Sequence, residues 1–147
     1  MRLIQLMAYT SNWKQPAGNV DLLTEDVHVW SALLDVQEDV LHVLQQTLDA
    51  NEQIRAERFY FELDRSRFIA SHGLLRTILG SYIHIEPGKL RFSYNSRGKP
   101  FLAESFQGKT LEFNMSHSHE FALFAVTFNR KVGVDLEHIY SLSLIHI

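Results

Sequence analysis

The sequence predicts an α+β fold in which helices pack on a small antiparallel sheet, and three observations support this class. First, the chain has 147 residues, of which 46% are hydrophobic and 21% charged, as is usual for one globular domain with its own core. Second, apolar residues recur at helical spacing through the middle of the chain. Third, short segments with strand periodicity come before those helices and, in greater number, after them. Strands and helices grouped in this order are typical of α+β proteins.

Two strands are predicted before the helices. Residues 2–9 form the first, and a polar loop follows them. The second begins within residues 25–35, where His28 and Trp30 alternate with valines, so that the two sets fall on opposite sides of the strand. The first part of the chain therefore contributes strands to the fold.

The middle of the chain is predicted to be helical. Residues 36–48 place apolar side chains on one helical stripe. Asp49 or Asn51 then caps a further helical segment, since both residue types are common N-caps. That segment contains a short helix, a break near residues 61–64 and a longer helix that ends at about residue 82.

Two histidines in these segments are interpreted as structural. His28 is expected to be a strand-edge residue rather than a metal ligand. His72 lies on the apolar stripe of the long helix, and we interpret it as a satisfied core or boundary residue.

Short strands are predicted for the last third of the chain, at residues 90–94, 111–115, 121–128 and 132–137. The segment "FALFAVTF", residues 121–128, is apolar in both phases of the strand period. A strand with one solvated face would alternate between apolar and polar side chains. This strand therefore needs cover on both faces, although the helices supply only one obvious layer.

Composition excludes several classes of protein and site. The chain has no Cys, so neither a disulfide framework nor a thiolate metal site can form. The formal net charge of -3 argues against a protein that coats nucleic acid. No segment approaches the roughly 20 apolar residues that span a bilayer, and the N-terminus lacks a signal-peptide pattern. We expect a soluble, cytoplasmic protein with neither nucleic acid nor membrane as its partner.

Paired carboxylates near the end of the chain suggest a cation site. Asp135 and Glu137 are two residues apart on a predicted strand, which points both side chains to one face. Mg²⁺ in proteins commonly takes one or two carboxylates together with waters and substrate phosphates. The alternative is an ordinary solvated strand face, because two acidic residues at this spacing are common.

Basic residues are spread over three places that suit phosphate binding. Arg55 and Arg58 are one helical turn apart, Arg67 lies near the start of the long helix, and Arg97 and Lys99 flank a glycine in a turn. The alternative is that they lie on solvated helix faces and pair with nearby acidic residues.

Ser116 and His117 are predicted to bind a ligand rather than to act as nucleophile and base. Neighbouring residues on a strand face opposite ways, so the two side chains cannot readily pair. A hydroxyl and an imidazolium at a strand end both donate hydrogen bonds to phosphate. His117 and His119 as a transition-metal pair lack a third nitrogen or sulfur ligand nearby in sequence. Together with the cations and carboxylates, they imply a ligand with several phosphates, including a pyrophosphate.

In their order, the motifs of residues 27–137 resemble the 4'-phosphopantetheinyl transferases of the surfactin-synthetase-activating, two-half type. The resemblance runs from "RAERFYFELDRSRFIASHGLLR" through "GKP" and "FNMSHS" to "VGVDLE". It implies one half of a pseudo-twofold fold. It also implies Mg²⁺-dependent transfer of the phosphopantetheine arm of coenzyme A to a serine of an acyl or peptidyl carrier protein.

The resemblance implies a role for each matching residue. Contacts to the phosphates of coenzyme A would come from Arg55 and Arg67. The adenine nucleotide would be held by the turn at Lys99 and Pro100, with further contacts from Ser116 and His117. Asp135 and Glu137 would be the catalytic Mg²⁺ ligands that bridge to the pyrophosphate.

The sequence departs from the two-half pattern after Glu137, because the W-x-x-K-E motif of the second half is not found. We therefore expect residues 1–139 to be an N-terminal half and residues 140–147, "YSLSLIHI", to be a short, non-native tail. The C-terminal half is expected to be absent. As given, the chain is expected to have little or no transferase activity, and the apolar face of residues 121–128 would normally pack against the second half.

Three alternatives stay open at this point. The chain would be a non-catalytic coenzyme A or nucleotide-binding module if it binds its ligand without turnover. A half-length, homotrimeric transferase would carry a metal-binding Asp near the N-terminus, and "MRLIQLMAYT" lacks one. The last alternative is a small α+β domain with ordinary surface charges.

Overall fold

A computed structural model describes residues 2–5 and 21–139 of the chain. The described part contains six strands, three α-helices and one 3₁₀ turn. In chain order they are β1 (Arg2–Gln5), β2 (Val27–Leu33), α1 (Glu38–Gln46), α2 (Ala50–Glu57), α3 (Glu62–Ile83), the 3₁₀ turn (Pro87–Lys89), β3 (Phe92–Tyr94), β4 (Pro100–Leu102), β5 (Leu111–Ser118) and β6 (Phe121–Phe128).

Four of the strands form one sheet in the order β1-β2-β6-β5, and β3 and β4 form a separate hairpin. Strand β6 pairs antiparallel with both β2 and β5, whereas β1 pairs parallel with β2. The predicted antiparallel sheet is therefore confirmed for β2, β6 and β5, with one parallel strand added at its edge. Strand β5 forms the other edge of the sheet.

Capping interactions and backbone conformation set the start of α2 and the end of α3. Asp49 caps α2: its side chain accepts a hydrogen bond from the Glu52 amide, while the Glu52 side chain accepts one from the Asp49 amide. This reciprocal capping box satisfies two amides that the first turn leaves unpaired. Helix α3 ends at His84, whose left-handed conformation (φ 55°) terminates it. The predicted cap at Asp49 is confirmed. The break predicted near residues 61–64 lies earlier, between Glu57 and Glu62, because α3 already begins at Glu62.

The main core lies between one face of the sheet and helix α3. Alternate residues of β6 point into it, and Ala122, Phe124 and Val126 have no exposed surface. From the helix, Leu74 and Leu79 are equally buried. The burial of these apolar side chains is the main force that holds the helical layer on the sheet.

The opposite face of β6 is only partly covered. Ala125 is buried between Val29 and Asn114 of the neighbouring strands, whereas Phe121 is 46% exposed. The sequence pattern predicted that both faces of this strand need cover. Phe121 is where that cover is least complete.

Histidine 28 is fully buried, so the prediction that it lies at a strand edge is wrong. Its Nδ1 atom lies 2.7 Å from the Tyr82 hydroxyl, and its ring lies against the Tyr82 ring. The reason is its place in the fold: β2 is an inner strand between β1 and β6, and its inward side chains are covered by α3.

The segment predicted as a strand at residues 132–137 is not a strand. It runs beside β5, but the amides of Val134 and Leu136 donate to side chains, at 2.8 Å to Asn114 Oδ1 and 3.0 Å to Ser116 Oγ. Because polar side chains of β5 supply the acceptors, no main-chain ladder forms. Strand β5 also runs three residues beyond its predicted end, so "SHS" belongs to the strand itself.

Residues 6–9 of the predicted first strand lie outside the described residues. Within the described part of the chain, no helix combines the length and apolar character needed to cross a membrane.

The contact between α1 and α3 depends on Gly73. A Cβ atom at this position would lie 2.7 Å from the Leu44 Cβ and 3.0 Å from the Leu44 carbonyl oxygen. We expect Gly73→Ala to lower the free energy of unfolding by about 1–3 kcal/mol, because overpacking outweighs the gain in helix propensity. Gly88→Ala is the control, since its nearest atoms would be 3.7 Å away. Urea unfolding of Gly73→Ala and Gly88→Ala tests this. Equal stability of the two variants would show that α1 and α3 can move apart without loss of free energy.

Candidate functional site

A cleft of about 390 Å³ lies where α2, α3, the β3–β4 hairpin and β5 meet. Three of its lining residues are basic and come from three separate elements: Arg55 from α2, Lys99 from the hairpin turn and His117 from β5. These residues are up to 62 positions apart in the sequence. The fold therefore brings together four of the predicted ligand-binding residues, because Pro100 lines the same cleft.

Aromatic side chains form the apolar walls of the cleft. Phe92 and Phe113 meet edge to face with ring centroids 5.7 Å apart, and Phe68 lies on the α3 side. The Arg55 guanidinium carbon lies 5.1 Å from the Phe68 ring centroid, within the range of a cation–π contact. Flat apolar walls beside cations suit a ligand that combines an aromatic base with phosphates.

The hairpin turn that carries Lys99 is fixed by Asn95. The Asn95 side-chain oxygen accepts hydrogen bonds from the amides of Arg97 and Lys99, both at 2.9 Å. Gly98 has φ 78°, a conformation that glycine adopts without strain. The turn therefore presents Lys99 and Pro100 to the cleft in a defined backbone conformation.

Arg76, which has no exposed surface, lies behind the cleft and binds the lining residue Glu52. Its Nε atom donates to Glu52 Oε1 at 2.7 Å, and Nη2 donates to both Glu52 and Asp49, the latter at 3.0 Å. Its Nη1 atom donates to the carbonyl oxygens of Pro87 and Leu90 at 2.9 and 3.0 Å. One side chain thus joins α3 to the start of α2 and to the 3₁₀ turn.

Histidine 72 is half-buried and lines the cleft from α3. Its ring stacks on Phe68 with centroids 3.9 Å apart, and its Nδ1 atom lies 2.9 Å from the Phe68 carbonyl oxygen. The pKa of His72 is lowered to about 4, mainly by burial and also by its neighbours Arg55, His117 and Arg76. The interpretation of His72 as a boundary residue holds, but its exposed part faces the cleft.

Ser116 and His117 point to opposite faces of β5, as strand geometry requires. His117 lines the cleft, whereas the Ser116 hydroxyl donates to Asp135 Oδ1 at 3.4 Å and accepts from the Leu136 amide. The two side chains therefore do not form a nucleophile–base pair. Ser116 instead links β5 to the segment that carries the predicted metal ligands.

Asp135 and Glu137 are both exposed on this segment. Across residues 2–5 and 21–139, no group of three or more His, Asp or Glu side chains is arranged to hold a metal ion. Two carboxylates at an exposed edge still fit a hard cation that takes its other ligands from water and phosphate. The donor set is thus compatible with Mg²⁺ in the presence of a phosphate ligand.

Two predicted phosphate-binding candidates lie elsewhere. Arg67 forms a two-point ion pair with Asp35, with Nε and Nη2 at 2.8 and 3.0 Å from the carboxylate oxygens. These hydrogen bonds lower the pKa of Asp35 below its usual value. Arg58 is exposed at the end of α2, and it is Arg55 that lines the cleft.

The sequence analysis missed the pairing of Arg76 with Glu52. Glu52 is 2% exposed and binds Arg76. The available signal was an arginine between Leu75 and Ile78 on the apolar part of α3, because an arginine in the core needs a buried acidic partner.

Comparison with known proteins gives a family match. The model described as "4'-phosphopantetheinyl transferase, N-terminal" matches residues 30–129. The 4'-phosphopantetheinyl transferase HetI of Nostoc sp. is 46% identical over 127 residues, which are 86% of this chain and 54% of that protein. A phosphopantetheinyl transferase of Thraustochytrium sp. is 33% identical over 93 residues, 63% of this chain and 32% of that one. The chain thus spans about half of the first relative's length and a third of the second's.

A solved structure shares the fold. A holo-(acyl-carrier-protein) synthase from Bacillus anthracis, in complex with CoA (3',5'-ADP), matches with a TM-score of 0.51 and 21% identity, over 69% of this chain and 93% of that one. At this identity the likeness is evidence for the fold alone. It confirms the predicted class, helices packed on a small sheet.

Removal of Arg76 is expected to destabilise the chain strongly. Arg76→Leu leaves the Glu52 carboxylate buried without its partner, so we expect the free energy of unfolding to fall by about 3–5 kcal/mol. Arg67→Leu is the matched control, because its partly exposed pair with Asp35 contributes about 1 kcal/mol or less. Denaturant titration compares the two variants. The double variant Arg76→Leu/Glu52→Leu should recover part of the lost stability. If Arg76→Leu is as stable as Arg67→Leu, the buried network does not stabilise the chain as we expect.

The low pKa of His72 predicts acid sensitivity. The pKa is about 4 in the folded chain and 6.5 for an ordinary histidine, so between these values the unfolded chain binds one more proton. Stability therefore falls as the pH decreases through this window, by about 2 kcal/mol between pH 7 and pH 5. Urea unfolding of wild type and His72→Phe at both pH values isolates this effect. A wild type whose pH dependence matches that of the variant would show that His72 titrates normally.

Proposed function

Because the chain belongs to the 4'-phosphopantetheinyl transferase family, we propose that it supplies the coenzyme A-binding half of a two-half, surfactin-synthetase-activating type of transferase. The whole enzyme would move the phosphopantetheine arm of coenzyme A to a serine of an acyl or peptidyl carrier protein. The observation that carries this proposal is the convergence of Arg55, Lys99 and His117 on one aromatic-walled cleft.

The cleft residues divide between the two parts of a nucleotide. Arg55, Lys99 and His117 would donate charge-assisted hydrogen bonds to phosphate oxygens. The turn at Pro100 and the aromatic walls would take the adenine base. Arg67 is also proposed as a phosphate ligand, and to act as one it would exchange its Asp35 carboxylate for a phosphate of similar geometry.

Asp135 and Glu137 are the proposed Mg²⁺ ligands and catalytic carboxylates. Bound there, Mg²⁺ would neutralise pyrophosphate oxygens and stabilise the leaving phosphate. The chain's own contribution is to hold the segment: Ser116 contacts Asp135, and both Ser116 and Asn114 accept hydrogen bonds from its backbone. Ser116 is thus proposed to position the carboxylates as well as to contact the nucleotide.

The same family match supports a proposal for the domain organisation. We propose that residues 1–139 correspond to the N-terminal half and that residues 140–147 are a short tail with no part in it. The matched model is an N-terminal one, and this chain spans 54% of the Nostoc relative. Carrier-protein recognition and the second half's catalytic groups would then come from sequence outside residues 1–139.

A second candidate is a non-catalytic module that binds coenzyme A or a nucleotide. One observation favours it: across residues 2–5 and 21–139, the cleft and the acidic segment provide two proposed metal carboxylates but no third acidic group beside them. Such a module would bind coenzyme A without turnover at any Mg²⁺ concentration.

Calorimetric titration of coenzyme A, with and without Mg²⁺, tests the proposal. We expect Arg55→Ala and Lys99→Ala each to weaken binding about ten-fold through the loss of a charge-assisted hydrogen bond. Lys89→Ala is the control, because Lys89 pairs with Glu86 outside the cleft. Mg²⁺ should strengthen binding to the wild type but not to Asp135→Ala.

Mass spectrometry of an apo carrier protein then separates the two candidates, after incubation with coenzyme A, Mg²⁺, this chain and the part of the Nostoc relative that lies outside the 127 matched residues. A mass gain of one phosphopantetheine that needs both pieces would show that this chain supplies half of a transferase, and binding of coenzyme A without that gain would favour the module. A folded chain that binds no coenzyme A would overturn both.

A further inference from the structure

One cleft residue differs in chemistry from the cations around it. His72 lies on α3, with its ring stacked on Phe68 and its Nδ1 atom 2.9 Å from the Phe68 carbonyl oxygen. A carbonyl oxygen only accepts hydrogen bonds, so this contact places the ring proton on Nδ1. In the neutral ring, Nε2 is then a hydrogen-bond acceptor.

The surroundings keep this ring neutral. Burial lowers the pKa of His72 to about 4, and the neighbouring charges of Arg55, His117 and Arg76 act in the same direction. The one acidic group of the cleft lining, Glu52, is engaged by Arg76 and does not offset them. His72 therefore stays in its neutral form at neutral pH.

The Nε2 atom makes no hydrogen bond to any residue of the described chain, and it is not among the buried atoms left unpaired there. It is thus accessible from the cleft that His72 lines. An ionised phosphate oxygen is itself an acceptor, so it cannot donate a hydrogen bond to this atom. A ligand group with an N–H or O–H can donate one.

We propose that His72 Nε2 accepts a hydrogen bond from the nucleoside part of the ligand, a ribose hydroxyl or the exocyclic amine of adenine, and so determines specificity for nucleotide over phosphate alone. The inference rests on the proposed function. In this arrangement Arg55, Lys99 and His117 bind the acceptors of the ligand, while His72 binds a donor. A ligand must offer both chemistries to use the whole cleft.

The experiment is calorimetric titration of adenosine 3',5'-bisphosphate and, separately, of inorganic pyrophosphate into the full chain. His72→Phe keeps an aromatic ring on Phe68 and removes the acceptor. It should weaken nucleotide binding about ten-fold and leave pyrophosphate binding unchanged, since one neutral hydrogen bond is lost. His72→Gln carries an amide oxygen as acceptor and should restore most of the affinity.

Two analogues identify the donor. One is 2'-deoxyadenosine 3',5'-bisphosphate, which lacks the ribose hydroxyl, and the other is inosine 3',5'-bisphosphate, in which a carbonyl replaces the amine. The analogue that lacks the group donating to His72 should bind the wild type more weakly than adenosine 3',5'-bisphosphate does. That analogue and adenosine 3',5'-bisphosphate should bind His72→Phe equally well.

These titrations distinguish a failure of the role of His72 from a failure of the proposed function. If the wild type binds the nucleotide and His72→Phe binds it equally well, the role of His72 is overturned while the proposed function stands. Equal weakening of nucleotide and pyrophosphate would show that His72 only supports the shape of the cleft, and it too overturns the inference. A wild type that binds neither coenzyme A nor the nucleotide overturns both proposals.

Discussion

The buried guanidinium of Arg76 is the interaction on which the cleft depends. It reaches α2 through Glu52 and Asp49, and the segment before β3 through the carbonyl oxygens of Pro87 and Leu90. Two parts of the chain are thereby fixed relative to α3, because each hydrogen bond has a defined direction. Arg55 lies one turn beyond Glu52 on the same helix, so its approach to the cleft is set by the same bonds.

Strand β5 separates two kinds of chemistry on its two faces. His117 points to the helical side and lines the cleft, whereas Ser116 binds the backbone of the acidic segment. Asn114 lines the cleft too, and its side chain accepts a hydrogen bond from Val134 of that segment. Among the strands that the structure describes, β5 lies at the edge of the sheet, and no other strand covers the side along which that segment runs. A ligand that contacts both the cleft and the carboxylates would therefore lie across this edge of the sheet.

Some strand bounds and helix caps could be predicted from the sequence, whereas contacts between residues far apart in the sequence could not. The bounds of β6 and the cap at Asp49 follow from apolar periodicity and from one side chain's hydrogen bond to its own turn. The errors concern partners far along the chain: His28 meets Tyr82 54 residues away, and Leu136 donates to Ser116 20 residues away. A period-two pattern at residues 132–137 predicts a strand, but it cannot show that side chains of β5 take the place of the main-chain acceptors.

The charge of the cleft shows why net charge is a poor guide to its ligand. The whole chain carries a formal charge of -3, and a carboxylate, Glu52, stands in the cleft wall. Arg76 binds that carboxylate from the buried side, so its charge does not cancel those of Arg55 and Lys99. At physiological salt, charges more than about 8 Å apart are largely screened in solvent. An anion in the cleft therefore interacts mainly with the cations beside it, and the acidic residues elsewhere on the surface have little effect on its binding.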